Sequence, residues 1–224
     1  MLKRQVIITN DGSSTIFVPQ LNQCYHSTHG AINESQHIFI EAGFNKSLDQ
    51  LYHINILEVG FGTGLNALLT LVENADSSQT VFYQGIEPHP VHKCELSQIN
   101  YADKIPAKQT KGLFEKIHNA LWDEKQPITG NFELLKTNNT IETVSLPNNF
   151  FHLVYFDAFA PTIQPELWKK EIFEKIFQAM SSHSILVTYS CKGDVKRALK
   201  ASGFTIEKLP GPTGKREFIR AFKN

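Results

Sequence analysis

Glu58-Val59-Gly60-Phe61-Gly62-Thr63-Gly64-Leu65-Asn66 is the stretch on which the fold turns. It ends the apolar run Ile54–Val59 and opens a segment, Gly64–Asn74, in which Leu65, Leu68, Leu69 and Val72 recur at helical spacing. A strand, a glycine-rich turn and a helix in that order make the unit that carries nucleotides in open parallel sheets. Glycines permit the tight turn and let the backbone approach a ligand closely. The spacing here is G-x-G-x-G, and Leu65 stands where a dinucleotide fingerprint needs a third small residue. A bulky side chain there resists the close helix–strand packing of a pyrophosphate site. Glu58, just before the loop, repels a phosphate but suits an ammonium group. Glu87, at the end of the next strand, can accept hydrogen bonds from both ribose hydroxyls. Glu58, Gly60, Gly62, Gly64, Asn66 and Glu87 together point to S-adenosyl-L-methionine, a nucleoside with a zwitterionic amino-acid tail.

Outward from this loop the chain alternates strand and helix. Thr80–Ile86 reads as a strand, Val91–Asn100 as a helix, and Leu113–Trp122 as a helix with Leu113, Ile117 and Leu121 on one face. Phe151–Phe156 is an apolar strand apart from His152. Glu166–Met180 has helical spacing, with Pro165 suited to its first turn. Ser184–Tyr189 is a strand, Asp194–Ala201 a helix closed by Gly203, and Phe204–Leu209 with Glu217–Phe222 a terminal strand pair around Pro210–Gly214. Such alternation implies an α/β fold with a parallel sheet covered on both faces. Residues 1–50 read as an appendage to a core of 51–224: strands Gln5–Thr9 and Thr15–Val18, then a helix Asn33–Ala42 capped by Asn33 and stopped at Gly43.

With 224 residues the chain suits one domain, and 41% hydrophobic with 20% charged residues reads as globular and soluble. No apolar run approaches the roughly 18 residues of a membrane span. The N-terminus has no signal-peptide block. Cys24, Cys94 and Cys191 are odd in number and widely spaced, which fits a reducing, cytoplasmic setting better than a disulfide framework. A monomer is the default expectation. Cys24, His26 and His29, or His89 and His92, lack a second ligand pair at zinc-like spacing, so no metal is expected. Of the cysteines, Cys191 lies nearest the expected pocket.

Net charge is zero, with 22 Lys and Arg against 22 Asp and Glu, which by itself disfavours a nucleic-acid partner. The zero is a cancellation: residues 192–224 hold 9 basic and 3 acidic side chains, and the rest of the chain 13 and 19. A basic terminal segment on an acidic body is a hint of a polyanionic partner.

The strand Phe151–Phe156 runs into Asp157-Ala158-Phe159-Ala160-Pro161, then Pro165-Glu166-Leu167-Trp168. Ligand crevices lie at the carboxyl ends of parallel strands, so Asp157 is expected beside the glycine loop. A carboxylate there can orient an amine and help remove its proton. Phe159 and Trp168 either stack on a base or pack in the core.

Glu58–Asn66, Asp157–Pro161 with Pro165–Trp168, Thr188-Tyr189-Ser190 and Pro210-Gly211…Gly214-Lys215-Arg216-Glu217 together resemble one family, as do Asp11–Thr15 and Tyr25-His26-Ser27…Gly30-Ala31…Glu34-Ser35. It is the methyltransferase part of the MnmC enzymes that modify the tRNA wobble uridine, and its stand-alone (MnmD-type) form. The resemblance covers nearly the whole chain. It implies a class I Rossmann-like S-adenosyl-L-methionine-dependent methyltransferase with a seven-stranded, mostly parallel sheet and an antiparallel terminal hairpin. The implied reaction is N-methylation of 5-aminomethyluridine, or its 2-thio form, with no oxidase half present.

On this likeness Asp157 is the catalytic residue, Gly60, Gly62 and Gly64 form the cofactor loop, and Glu87 is the ribose acid. Relatives carry a Gly-Asp pair for the adenine where this chain has Thr137-Asn138-Asn139-Thr140, so an Asn amide, Asn139 or alternatively Asn138, takes that place. Substrate contacts fall to Phe159, Pro161 and Tyr189, and tRNA contacts to Lys192, Arg197, Lys215 and Arg216. An anticodon loop is single-stranded, so its base can be splayed out onto aromatics while cations hold phosphates. Three other readings stand beside this one: a methyltransferase acting on a small-molecule amine, a dinucleotide-dependent oxidoreductase opposed by Leu65, and a non-catalytic RNA binder opposed by the intact acids.

Overall fold

The computed structural model describes residues 3–48, 51–107 and 110–224. In chain order the strands are β1 (Gln5–Ile8), β2 (Ser14–Val18), β3 (Gln23–Cys24), β4 (His53–Val59), β5 (Thr80–Ile86), β6 (Lys125–Thr129), β7 (Phe132–Thr137), β8 (Phe151–Phe156), β9 (Met180–Thr188), β10 (Thr205–Pro210) and β11 (Glu217–Lys223). The helices are α1 (Ala31–Ser35), which runs through the π-helical Gln36–Phe44 into α2 (Asn45–Leu48), then α3 (Leu65–Glu73), α4 (Lys93–Leu96), α5 (Tyr101–Lys104), α6 (Thr110–Asn119), α7 (Lys170–Ala179) and α8 (Gly193–Ala201).

β4, β5 and β8 are apolar because both faces of the sheet are covered. Every residue of β4 after His53 is buried. Side chains of successive residues go to opposite faces. Ile54, Ile56, Tyr83 and Tyr155 join one core layer, which also takes Phe39 and Phe44, Leu68 of α3 and Ile117 of α6. Leu57, Val59, Val154 and Phe156 join the other, under Phe173 and Ile176 of α7 and Leu199 of α8.

The main sheet has eight strands in the order β10-β11-β9-β8-β4-β5-β7-β6. β4 pairs in parallel with β5 on one side and β8 on the other, so the chain order reverses at β4. That switch point opens a crevice at the carboxyl ends of β4 and β8. β9, β11 and β10 pair antiparallel, as expected of the terminal hairpin.

The sequence-based count of seven strands is exceeded by β6, which pairs antiparallel with β7 at the sheet's far edge. Pro127 conceals it in the sequence, yet an edge strand tolerates a residue that cannot donate to a ladder. Three helix boundaries also differ. The helix expected from Asn33 begins at Ala31 behind Gly30 and passes through Gly43 without stopping. The Val91–Asn100 helix is a single turn at α4, with α5 following separately. The helix expected over Glu166–Met180 is a 3-10 turn, Pro165–Trp168, then α7, and Met180 already belongs to β9.

The first fifty residues include a small antiparallel sheet, β1-β2-β3, whose Ile16 and Val18 enter the same core layer as Ile54. Asn100 fastens it to the body: its Oδ1 accepts from Ser14 N at 2.8 Å and its Nδ2 donates to the Gly12 carbonyl at 3.0 Å. Among the described residues no helix is long and apolar enough to cross a membrane.

Candidate active site

Parallel pairing of β4 with β8 brings the two loops that leave them into contact. Asp157 N donates to the Val59 carbonyl at 2.9 Å, and Gly60 N to the Ile86 carbonyl at 3.0 Å. Gly60 has φ 91°, and a Cβ there would lie 2.5 Å from the Asp157 carbonyl oxygen, so no side chain fits between the loops. α3 then starts behind Gly64 without a capping side chain, leaving its first N–H groups to other partners.

Three polar side chains converge beneath the loop. The Asn66 amide donates from one nitrogen to Glu58 Oε1 and to Asp157 Oδ2, both at 2.9 Å. Glu58 is buried, and its Oε2 has no hydrogen-bond partner, nor has Asn66 Oδ1. Burial drives the Glu58 carboxyl well above the usual carboxylate range. Asp157 is raised to about 7, first by burial and then by the charge of Glu34, while the Asn66 bond and Lys215 pull it down. Glu87 is anchored at both oxygens: Oε2 accepts from Gly62 N at 3.0 Å and Oε1 from His89 N at 2.9 Å.

A cavity of about 670 Å³ opens over these groups, within the range of small-molecule and cofactor sites. Gly60, Gly62, Asn66, Glu87, Asp157, Phe159, Tyr189 and Lys215 line it, and Glu58 lies behind Asn66. Gly64 lies outside the wall, close to the rings of Phe61 and His118. Phe159 meets Tyr25 edge-to-face at 5.2 Å, and the Tyr189 hydroxyl donates to the Ala158 carbonyl at 2.9 Å.

Other expected residues fall elsewhere. Asn139 is absent from the wall because its Oδ1 closes a turn, accepting from Thr140 N at 2.7 Å and Thr143 Oγ1 at 2.5 Å. Asn138 is also outside the wall, its backbone N–H donating to Asp123 Oδ1 at 3.0 Å, and Thr140, Ile141 and Glu142 take the wall position instead. Pro161 is outside the wall, where Ala160 and Gln164 stand. Trp168 is a core residue, 4% exposed, with its indole N–H donating to the Phe159 carbonyl at 2.8 Å. Lys192 and Arg197 lie at and on α8, away from the cavity. Arg197 pairs with Asp194 and, with Lys196, Lys200 and Lys208, lines a separate shallow depression. Arg216 is exposed. Cys191 lies off the wall, its Sγ 3.6 Å from Glu217 Oε2, and burial pushes its thiol up.

Several wall residues to which sequence reading assigns no site role come from the first fifty. Tyr25, His26, Ser27 and Glu34 reach the same cavity, and Arg4 reaches it beside Glu87. Arg4 fastens the loop that follows Glu87, donating to the His89 carbonyl at 2.6 Å and the Pro90 carbonyl at 3.0 Å and pairing with Glu95. Nothing periodic marks these positions. The motif segment Tyr25-His26-Ser27…Glu34-Ser35 contained four of them without indicating that they meet Asp157.

Residues 120–224 match the model of a family described as S-adenosyl-L-methionine-dependent methyltransferase. The match begins after the glycine loop, so loop and match are separate observations. Over 96% of its length the chain is 29% identical to the tRNA 5-methylaminomethyl-2-thiouridine biosynthesis bifunctional protein MnmC of Burkholderia mallei. Over 92% it is 31% identical to the protein of that name in Magnetococcus marinus. The chain spans about a third of these relatives, 34% and 32% of their lengths. Among solved structures, MNMC2 from Aquifex aeolicus superposes with TM-score 0.82 at 23% identity, covering 100% of this chain and 72% of that one. Spermidine synthase from Thermotoga maritima does so with TM-score 0.56 at 13% identity, covering 100% and 70%. At such identities the likeness is one of fold. Residues 120–224 of this chain are thus similar to the S-adenosyl-L-methionine-dependent methyltransferase family.

Proposed function

We propose that the chain N-methylates the primary amine of 5-aminomethyluridine, or of its 2-thio form, at the tRNA wobble position, giving the 5-methylaminomethyl product. The observation that carries this reading is Asp157, a carboxylate open to the cavity and tied through Asn66 to the acid of the glycine loop. The names of the MnmC relatives support the choice of substrate.

The site's residues fit the cofactor. Glu58 lies behind the wall and acts on an amino-acid tail through Asn66, whose amide it accepts from and which does line the cavity. Glu87, held by two backbone N–H groups, suits the ribose hydroxyls, and the backbone of Gly60 and Gly62 with the uncapped start of α3 suits the rest of the amino-acid tail. Ile141 offers an apolar wall for the adenine in place of an Asn amide. When bound, S-adenosyl-L-methionine supplies an electrophilic methyl group.

The chain's own part is orientation and proton handling. Asp157 accepts a hydrogen bond from the acceptor amine, aligns it and takes its proton, which frees the nitrogen lone pair. Phe159, with Tyr25 against it, offers a ring face to a splayed-out base, and Tyr189 walls the far side. Residues 1–50 act as an appendage that completes this pocket. Lys192, Arg197 and Arg216 lie outside it, in places suited to phosphates.

The test is mass spectrometry of nucleosides from tRNA carrying 5-aminomethyluridine after incubation with the protein and S-adenosyl-L-methionine. The expected product is heavier by one CH₂. Its absence overturns the reading. Equal, salt-insensitive turnover of a small free amine would replace it with the small-molecule alternative.

A further inference from the structure

Lys215 precedes Arg216 in the turn between β10 and β11, and the two side chains part company. Arg216 is exposed, whereas Lys215 turns into the cavity. Its Nζ lies 2.5 Å from Glu34 Oε1 and 4.0 Å from the centre of the Tyr189 ring. A lysine stem held in one place gives up rotamer freedom it would keep in water, so the position needs compensating contacts. Glu34 and the ring face supply them. Glu34 is itself fixed, because its Oε2 accepts from Ser27 N at 2.8 Å. Tyr189 is fixed by its bond to the Ala158 carbonyl, one residue from Asp157. A clamped ammonium thus stands in the wall that Asp157 shares.

We propose that Lys215 is an electrostatic positioning residue inside the cavity, held by Glu34, that keeps Asp157 ionised and the acceptor amine uncharged. The inference rests on the amine-methylation reading above. An amine reacts only through a free lone pair, so its ammonium form must first pass a proton to Asp157. The N–H bond breaks, a carboxyl O–H forms, and the electron pair stays on nitrogen. A fixed cation beside the acceptor makes its ammonium form costlier and the Asp157 carboxylate more favourable, so both effects drive the proton the same way.

The Lys215 charge works against that of its own partner: Glu34 raises the Asp157 carboxyl more than Lys215 lowers it, so Lys215 offsets part of an effect that its removal would leave unopposed. Glu34 comes from α1, Tyr189 follows β9, Asp157 follows β8, and the His29 ring packs on neighbouring Gly214. His26 lies within reach of both Glu34 and Lys215 but is held neutral, burial pushing it down to about 4. Arg4 and Glu87 occupy the cofactor side of the cavity.

The experiment is the pH profile of kcat/KM for Lys215→Met and Lys215→Arg on 5-aminomethyluridine tRNA, with tRNA affinity measured over a salt series. Lys215→Met should move the acidic limb up by about one pH unit, as expected when an opposite charge is removed from near a carboxylate. Lys215→Arg should restore the wild-type limb, and tRNA Kd and its salt slope should be unchanged in both. Lys215→Gln serves if the Met variant does not fold. The Asp157 carboxyl NMR resonance should titrate higher in ligand-free Lys215→Met, a readout without turnover. An unmoved limb with a salt slope shallower by about 0.7 would make Lys215 a phosphate contact and overturn the inference. Failure of the amine reading looks different: wild-type protein then forms no methylated product, and this inference falls with it.

Discussion

At Asp157, burial and the proposed role as a base arise from one arrangement. Ending β8 beneath the glycine loop removes water from the carboxyl, and the charge of Glu34 adds to that, so it titrates near 7, against 3.8 ordinarily. A base poised there matches neutral-pH proton transfer. For Asp157→Asn the expected loss of kcat is about 10²-fold or more, with S-adenosyl-L-methionine affinity largely kept, because the Asn oxygen still accepts from Asn66. Isothermal titration beside single-turnover assays checks both parts. Stability has a defined sign. Between about 4 and 7 the folded carboxyl holds a proton that the unfolded one releases, so acidification across that window stabilises the ligand-free protein through this group. The buried His26 and His118, each lowered to about 4, act oppositely: their contribution is full above 6.5 and is lost as pH falls toward 4. Asp157→Asn should therefore raise Tm of the ligand-free protein at pH 8, and the gain should shrink as pH drops through 7. A gain constant with pH would show that the carboxyl does not titrate in that window.

Among the elements, the π-helical Gln36–Phe44 does most to join the first fifty residues to the sheet. Ile38, Phe39, Ile40, Ala42, Gly43 and Phe44 are all buried, since the segment packs against β8, β9 and α3. A Cβ on Gly43 would lie 3.1 Å from Val187 Cγ2 and 3.3 Å from Tyr155 Cε1. The glycine is there for close approach to the sheet, not to end a helix. Gly43→Val should overpack this contact at a cost of about 1–3 kcal/mol, lowering Tm by roughly 2–4 °C per kcal/mol, as calorimetry would read. An unchanged Tm would mean that the helix can lift off the sheet freely. The same contact shows why sequence reading misplaced the helix end: in a sequence a glycine reads as a stop, and only the tertiary partner shows what it accommodates. β4, β5 and β8 were legible because two-sided burial writes itself as a mostly apolar run, interrupted only by single polar residues such as Asn55, Gln84 and His152. β6 was not, since an edge strand carrying Pro127 shows neither a run nor clean alternation. Of the site, Glu58, Glu87 and Asp157 were legible because each ends a readable strand. Glu34 and Tyr25 were not, because what brings them there is the docking of the first fifty residues.

For the whole molecule, the zero net charge divides in space more finely than along the chain. Residues 192–224 carry 9 basic side chains, but their local surroundings use five of them. Lys208 pairs with Glu217, Arg220 with Glu207, Arg197 with Asp194 and Lys215 with Glu34. Lys223 donates to Asn149 Oδ1 and to the Phe177 and Met180 carbonyls. Among the described residues Lys192, Lys196, Lys200 and Arg216 make no ion pair. Three of these recur every four residues, so they form a stripe along α8, with Lys192 at its N-cap. Like charges at that spacing repel, a small standing cost that a polyanion would relieve. The stripe lies on the surface following β9, whose end carries Tyr189 into the cavity wall, so a strand of RNA could lie on α8 with one base turned inward. Lys196→Glu with Lys200→Glu should then raise the tRNA Kd by about tenfold or more and flatten its salt slope by roughly 0.7 for each phosphate no longer neutralised. Methylation of a free 5-aminomethyluridine nucleoside should be untouched, because neither residue lines the cavity. If filter binding shows the same Kd and slope for this variant and the wild type, α8 is not the RNA face, and the surface has to be sought around Arg216.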